Sequence, residues 1–130
     1  MTIDLWMLVA SALWCLTIPA ISVSGLLAQP GGSAWGFGNR AEPFPVPAWV
    51  GRARRAHANM IENLAPFACL VVAAYLGGKA NGTTALGAEI FFFARVAYTF
   101  IYVAGIPVLR TLVFGVATAG MVMIATQILH

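Results

Sequence analysis

The chain has 130 residues, of which 61% are hydrophobic and 8% are charged, and its mean hydropathy is +0.87. About a quarter of the residues in a water-soluble domain are charged, so seven basic and four acidic side chains cannot cover a soluble globule of this mass. The net charge of +3 does not indicate a nucleic-acid partner, because the arginines lie at predicted helix ends and within apolar segments. The composition predicts an all-α integral membrane protein.

The first predicted element is a membrane span at about residues 4–28, because no charge occurs between Leu5 and Gln29. Thr2 or Asp4 is expected to cap its start, and the run Gln-Pro-Gly-Gly at 29–32 is expected to end it. No basic residue precedes this run, and it is longer than the apolar core of a signal peptide. We therefore predict an uncleaved span.

The next segment, residues 30–50, is predicted to be a loop rather than a regular helix. It holds four prolines and four glycines, with four aromatic residues between them. Aromatic side chains are enriched where the membrane meets water, so the loop is expected to lie at headgroup level. The aromatic residues are Trp35, Phe37, Phe44 and Trp49.

Three more predicted helices, at about 49–76, 83–104 and 107–129, complete one transmembrane four-helix domain over residues 1–130. Glycine-rich and proline-containing turns separate them. Arginine is concentrated in and after the first connection and after the third, whereas the second connection holds only Lys79. The positive-inside rule therefore places the first and third connections in the cytoplasm and both termini outside.

Two polar stripes interrupt the apolar helices. The second helix carries Arg52, Arg55, Asn59, Glu62 and Pro66 at steps of three, four, three and four residues, which is one helix face of roughly 80°. The third helix carries Arg95, Tyr98 and Tyr102, again on one face. Charges in the hydrocarbon cost several kcal/mol, so both stripes are expected to face a common pocket open to the cytoplasm.

Alternative interpretations of these charges remain open at this point. Glu62 and Arg95 could form a buried ion pair that only fixes helix packing. Arg110 lies in the first turn of the fourth helix, where free backbone N–H groups and a guanidinium together form an anion site. A lipid phosphate could occupy that site instead of a substrate.

Together these side chains suit a ligand with several carboxylates, an amine and a group whose negative charge needs stabilising. A metal site is not predicted, because His57 and His130 are far apart and have no ligand partners at useful spacing. The sequence shows no arrangement typical of a serine or cysteine nucleophile with its base.

The two polar motifs resemble those of a known family. The run Arg-Ala-Arg-Arg-Ala-His-Ala-Asn-Met-Ile-Glu-Asn at 52–63, followed by Pro66, is similar to the helix-two signature of the MAPEG superfamily. The run Ala-Arg-Val-Ala-Tyr at 94–98, followed by Tyr102, Gly105 and Arg110, is similar to its signature at helices three and four. These are membrane-associated proteins of eicosanoid and glutathione metabolism, and the likeness is greatest to the small bacterial branch.

The resemblance implies a homotrimer, in the bacterial inner membrane, with glutathione sites between neighbouring subunits. Arg55, Asn59 and Glu62 would hold the peptide backbone and charged ends of glutathione, and Arg110 would stabilise its thiolate. Arg52 is included among the binding residues, with a purely topological role as its alternative. The remaining contacts would come from Arg95, Tyr98 and Tyr102.

The predicted activity is that of a glutathione-dependent transferase or peroxidase acting in detoxification. Its lipophilic second substrate would arrive through the bilayer. Because the family also contains a non-enzymatic lipid-binding member, the alternative is a non-catalytic lipid-binding or accessory protein of the same fold.

Overall fold

The computed structural model describes all residues 1–130 and consists of five α-helices. They are α1 (Ile3–Leu27), α2 (Gly32–Phe37), α3 (Ala48–Leu76), α4 (Gly82–Ala104) and α5 (Pro107–Leu129). The four long helices are each at least 23 residues and apolar enough to cross a bilayer. The prediction of an all-α membrane four-helix bundle is confirmed, and the protein is a multi-pass integral membrane protein.

The helices pack with α3 and α4 in the middle of the bundle. Both touch α1 and α5, whereas α1 and α5 do not touch each other. At the centre, the rings of Phe67 and Phe91 stack with centroids 3.9 Å apart, and Ile18, Met60 and Ile124 are fully buried. Most other large apolar side chains point outward, as expected where lipid replaces water.

The segment between α1 and α3 contains a short helix, and the expectation of no regular helix there was wrong. Helix α2 occupies Gly32–Phe37. It forms because all four prolines lie outside it, at 30 and at 43–47, so no ring removes one of its hydrogen bonds. Glycine is required before α2, since Gly31 adopts a left-handed φ of 77°.

The start of α1 is fixed by a contact with α4 and not by a side-chain cap. Thr2 is the N-cap residue, but its side chain accepts no hydrogen bond from the helix. Asp4 is buried and its Oδ2 accepts a hydrogen bond of 3.0 Å from the Thr84 hydroxyl. Thr84 in turn forms a capping box with Asn81, whose amide donates to Gln127 on α5 at 2.9 Å. This network joins three helices at the end of the bundle that holds both chain termini, the terminal end.

The opposite end, where α1 and α4 finish and α3 and α5 begin, is the arginine end. There α4 ends at Gly105, which adopts a left-handed φ of 81°, and α5 starts two residues later with Pro107. The two helices approach most closely at Gly87 and Gly120, where a Cβ on either would lie 2.5–2.6 Å from the other's carbonyl oxygen. Only glycine therefore fits at these two positions.

Candidate functional site

A line of two aromatic rings with a cation at each end runs along α4 to the start of α5. The guanidinium carbon of Arg95 lies 4.4 Å from the ring centre of Tyr98. The Tyr98 and Tyr102 rings meet edge to face at 5.6 Å, and the guanidinium carbon of Arg110 lies 4.5 Å from the centre of Tyr102. The structure therefore brings together four of the predicted site residues, which are separated by up to fifteen positions.

Arg95 is the most unusual member of this line. It is 1% exposed, and its Nη2 donates a short hydrogen bond of 2.6 Å to the Asn59 side-chain oxygen on α3. Its Nε and Nη1 are also buried, and neither has a hydrogen-bond partner. A buried donor without an acceptor costs about 1–3 kcal/mol, and more on a charged group. Two of the three Arg95 nitrogens therefore lack acceptors within the chain.

The ion pair between Glu62 and Arg95, considered above as an alternative, does not form in the structure. Asn59 occupies the position on α3 that contacts Arg95, and Glu62 is exposed one turn farther along. The side chain of Asn63 donates to the Asn59 carbonyl at 2.8 Å and holds it in place. Arg95 thus meets a neutral amide, and its positive charge is left without a counter-ion.

Arg55 joins the line from α3. Its Nε lies 3.2 Å from the hydroxyl of Tyr102 and donates to it, and its guanidinium carbon is 5.9 Å from the ring centre. The Tyr102 ring is therefore positioned between two cations, Arg55 and Arg110. The Tyr102 hydroxyl accepts a hydrogen bond from Arg55 only, which leaves the other donors of Arg55 and those of Arg110 free for an anion.

Arg52, predicted as a binding residue, is engaged at the end of α4. Its Nε donates to the Val103 carbonyl at 2.9 Å, and its guanidinium packs against Gly105, where a Cβ would lie 3.3 Å from it. It satisfies one of the free carbonyls of the last helical turn and places a cation at the negative end of the helix dipole. In this chain the Arg52 Nε therefore stabilises the end of α4.

The polar stripe on α3 lies at the edge of the contact between α3 and α4, and part of it is exposed. Arg55, Glu62 and Pro66 are exposed and Asn59 is half-buried. The opposite face of α3 supplies the buried core residues, among them Met60 and Phe67. A single chain consequently leaves the Glu62 carboxylate at its surface, next to apolar positions that lie at membrane depth.

Arg110 stands at the open N-terminal end of α5. Its own backbone N–H bonds to the Ile106 carbonyl at 3.1 Å, and Pro107 has no N–H, so Val108 and Leu109 carry the free backbone donors of this turn. The half-buried guanidinium and these two N–H groups lie on the same turn. This end of α5 attracts an anion through both its dipole and its cation.

Several supporting residues were missed by the sequence analysis. The Trp14 indole on α1 donates to the Thr99 hydroxyl at 3.3 Å, and Thr99 donates to the Arg95 carbonyl at 3.1 Å. The ring centre of Phe114 lies 6.0 Å from the guanidinium carbon of Arg95. Of these supporting residues, only Asn63 could have been predicted to contact the site, because it follows Asn59 by four residues on the same helix face.

Comparison with known proteins identifies the family of the chain. A family model described as the MAPEG family matches residues 5–130, which is almost the whole chain. The chain belongs to the MAPEG family. No curated protein sequence matches it. Members of the MAPEG family are membrane proteins of eicosanoid and glutathione metabolism, and all residues of the candidate site lie within the matched range.

Proposed function

We propose that this MAPEG protein is a glutathione-dependent transferase or peroxidase acting on lipophilic electrophiles in the membrane. The observation that carries the proposal is the line from Asn59 through Arg95, Tyr98 and Tyr102 to Arg110, with Arg55 at its side. It contains three cations and no carboxylate that neutralises them. Such a line fits a tripeptide that brings two carboxylates and a thiolate.

The free donors of Arg95 fit a bound glutathione. Its Nε and Nη1 are buried and lack acceptors in the chain, and a carboxylate or peptide carbonyl of the ligand would supply them. Arg55 is free to bind a second carboxylate, since only its Nε is engaged. The exposed Glu62 carboxylate suits the ligand's α-ammonium group.

Arg110 is the residue that we assign to the thiolate. A thiol with an ordinary pKa of about 8.5 is mostly protonated at neutral pH, and an adjacent cation lowers that value toward neutrality. The Arg110 guanidinium, held over Tyr102 at 4.5 Å, and the free N–H groups of α5 supply this stabilisation. Glutathione supplies the sulfur nucleophile. It either displaces a leaving group from an electrophilic carbon or attacks a peroxide oxygen, which breaks the O–O bond and releases an alcohol. In the second case a second glutathione reduces the resulting sulfenic acid to the disulfide and water.

A homotrimer is part of this proposal, because one chain leaves two charged members of its polar stripe, Arg55 and Glu62, exposed. Next to a neighbouring subunit the same stripe would line an intersubunit pocket, and the charges would leave the lipid. The lipophilic substrate would reach this pocket from the bilayer.

Two measurements test the proposal. Calorimetry on the purified protein should detect glutathione binding, and Arg110→Ala should lower kcat toward an aryl halide or a lipid hydroperoxide by at least about tenfold, or roughly 1.4 kcal/mol of barrier. The KM for glutathione should change much less. Arg110→Lys should recover only part of the rate, because an ammonium does not reproduce the guanidinium fork.

Lys79→Ala is the control, since it removes a cation from the turn at the terminal end of the bundle. It should leave kcat unchanged. Normal turnover by Arg110→Ala would disprove the thiolate assignment. Absence of glutathione binding in the parent protein would instead favour the non-catalytic lipid-binding alternative.

A further inference from the structure

A second polar cavity lies at the arginine end, between α1, α2 and α3. Its volume is about 290 Å³, and it is lined by Ser22, Val23 and Leu26 of α1, Trp35 of α2, Arg40, and Arg54 of α3. None of the residues proposed to bind glutathione contributes to this cavity. The cavity is therefore separate from the proposed catalytic site and has no role in the chemistry described above.

The cavity carries two positive charges and no negative one. No carboxylate is among its lining residues. Arg54 is exposed and donates no hydrogen bond to the chain, so its whole guanidinium is available. The Ser22 hydroxyl donates to the Pro19 carbonyl at 3.0 Å, which leaves the two arginines as the donors that face the cavity.

Arg40 is held in position before any ligand binds. Its Nε and Nη2 both donate to the Gly36 carbonyl, at 2.9 and 2.8 Å, and its guanidinium carbon lies 5.6 Å from the ring centre of Trp35. The Trp35 indole donates a hydrogen bond of 2.6 Å to the Glu42 backbone carbonyl, and this bond closes the loop that contains Arg40. Arg40 is the one non-glycine residue with a positive φ, 54°, a conformation that side chains rarely adopt.

The cavity lies at one end of the long apolar helices. It is beside the last turns of α1 and the second turn of α3, so we expect its depth to match the lipid headgroups. Trp35 forms one wall, and Phe37 on the same short helix is 89% exposed, as expected for aromatic residues at the membrane interface. The Val23 side chain continues the cavity along α1 toward the bilayer interior and is itself 46% exposed.

We infer that this cavity binds the phosphate of an anionic phospholipid, with Arg40 and Arg54 as its ligands. Guanidinium groups match phosphate oxygens in shape and charge. Two cations without a carboxylate favour a headgroup that carries no ammonium group beside its phosphate. The start of an acyl chain would cover the apolar wall formed by Val23 and Leu26. A free phosphate ion would leave that wall uncovered.

Native mass spectrometry of the purified protein in mild detergent tests this site. Added phosphatidylglycerol should remain bound at one lipid per chain, at least about fivefold more than phosphatidylcholine under the same conditions. Arg54→Gln should remove this preference without changing helix content, because Arg54 makes no contact that the fold needs. Arg40→Gln should also remove it, and Lys79→Ala, which deletes a cation at the other end, should retain it.

Three results would overturn the inference. One is equal retention of the two lipids by the parent protein, and another is an undiminished preference in Arg54→Gln. The third concerns the source of the phosphate: if millimolar inorganic phosphate displaces the bound lipid and is itself retained, the site takes a free anion and the lipid assignment fails. Glutathione binding should be unaffected by Arg54→Gln, so this test is independent of the proposed activity.

Discussion

Replacing Arg95 with methionine should separate stability from ligand binding. Two of the three Arg95 nitrogens are buried without acceptors, at a cost of about 1–3 kcal/mol for each group. Methionine removes that cost and also removes the hydrogen bond to Asn59, which is worth about 1.5–3 kcal/mol because the donor is charged. The central values of these two effects, about 4 and about 2 kcal/mol, predict a ligand-free protein that is roughly 2 kcal/mol more stable than the parent.

Glutathione binding should change in the opposite direction. If the ligand supplies acceptors to both free nitrogens, the variant loses two charged hydrogen bonds of about 1.5–3 kcal/mol each, and the Kd rises more than about 100-fold. At a concentration about 100 times the parent Kd, glutathione stabilises the parent by about 2.7 kcal/mol. For a chain of this size that raises the thermal midpoint by roughly 10 °C, and the variant should show almost no rise.

Thermal unfolding in detergent, followed by circular dichroism with and without glutathione, measures both quantities. Asn59→Ala provides the contrast, since it removes the only acceptor of Arg95 and should lower the ligand-free midpoint. The reasoning is refuted if Arg95→Met lowers the ligand-free midpoint by more than roughly 5 °C, which corresponds to about 1 kcal/mol or more. It is also refuted if the variant keeps the glutathione-dependent rise of the parent.

Three other predictions concern topology, assembly and packing. A cysteine at Ser33 should react with membrane-impermeant reagents only after the cells are opened, and one at Gly82 should react in intact cells; the reverse pattern would contradict the orientation. Native mass spectrometry should report three chains, and a clean monomer or dimer would remove the support for an intersubunit pocket. Gly120→Ala should destabilise the protein by about 1–3 kcal/mol in thermal unfolding, because its Cβ would lie 2.5 Å from the Gly87 carbonyl oxygen. Gly115→Ala is the matched control and should be nearly neutral, since a Cβ there meets nothing within 4 Å.

The sequence alone predicted the membrane fold and the helix faces that carry charge. Long apolar runs and the 3.6-residue period are local properties, so they placed Arg55 and Asn59 on one face of α3 without knowledge of the other helices. The family resemblance likewise rested on short local motifs, and the family model confirms it. Local patterns were sufficient for both conclusions.

Contacts between helices could not be predicted in the same way. Opposite charges suggested Glu62 as the partner of Arg95, but the rotation of α3 against α4 brings Asn59 to it instead. That rotation depends on how Phe67 and Phe91 stack and on the close approach of α4 and α5, which no single helix encodes. The position of Arg52 at the end of α4 depends on the same packing.

The glycine contact between α4 and α5 also determines which parts of the site can vary. Gly87 and Gly120 allow the two backbones to come into contact, and the short connection at Gly105 joins the two helices at the arginine end. Arg95, Tyr98, Tyr102 and Arg110 are therefore carried by one stiff hairpin, whose internal spacings are set by backbone contact. Substitutions on the exposed surface of α3 can therefore change the ligand contacts, while the cations and rings on the hairpin keep a constant separation.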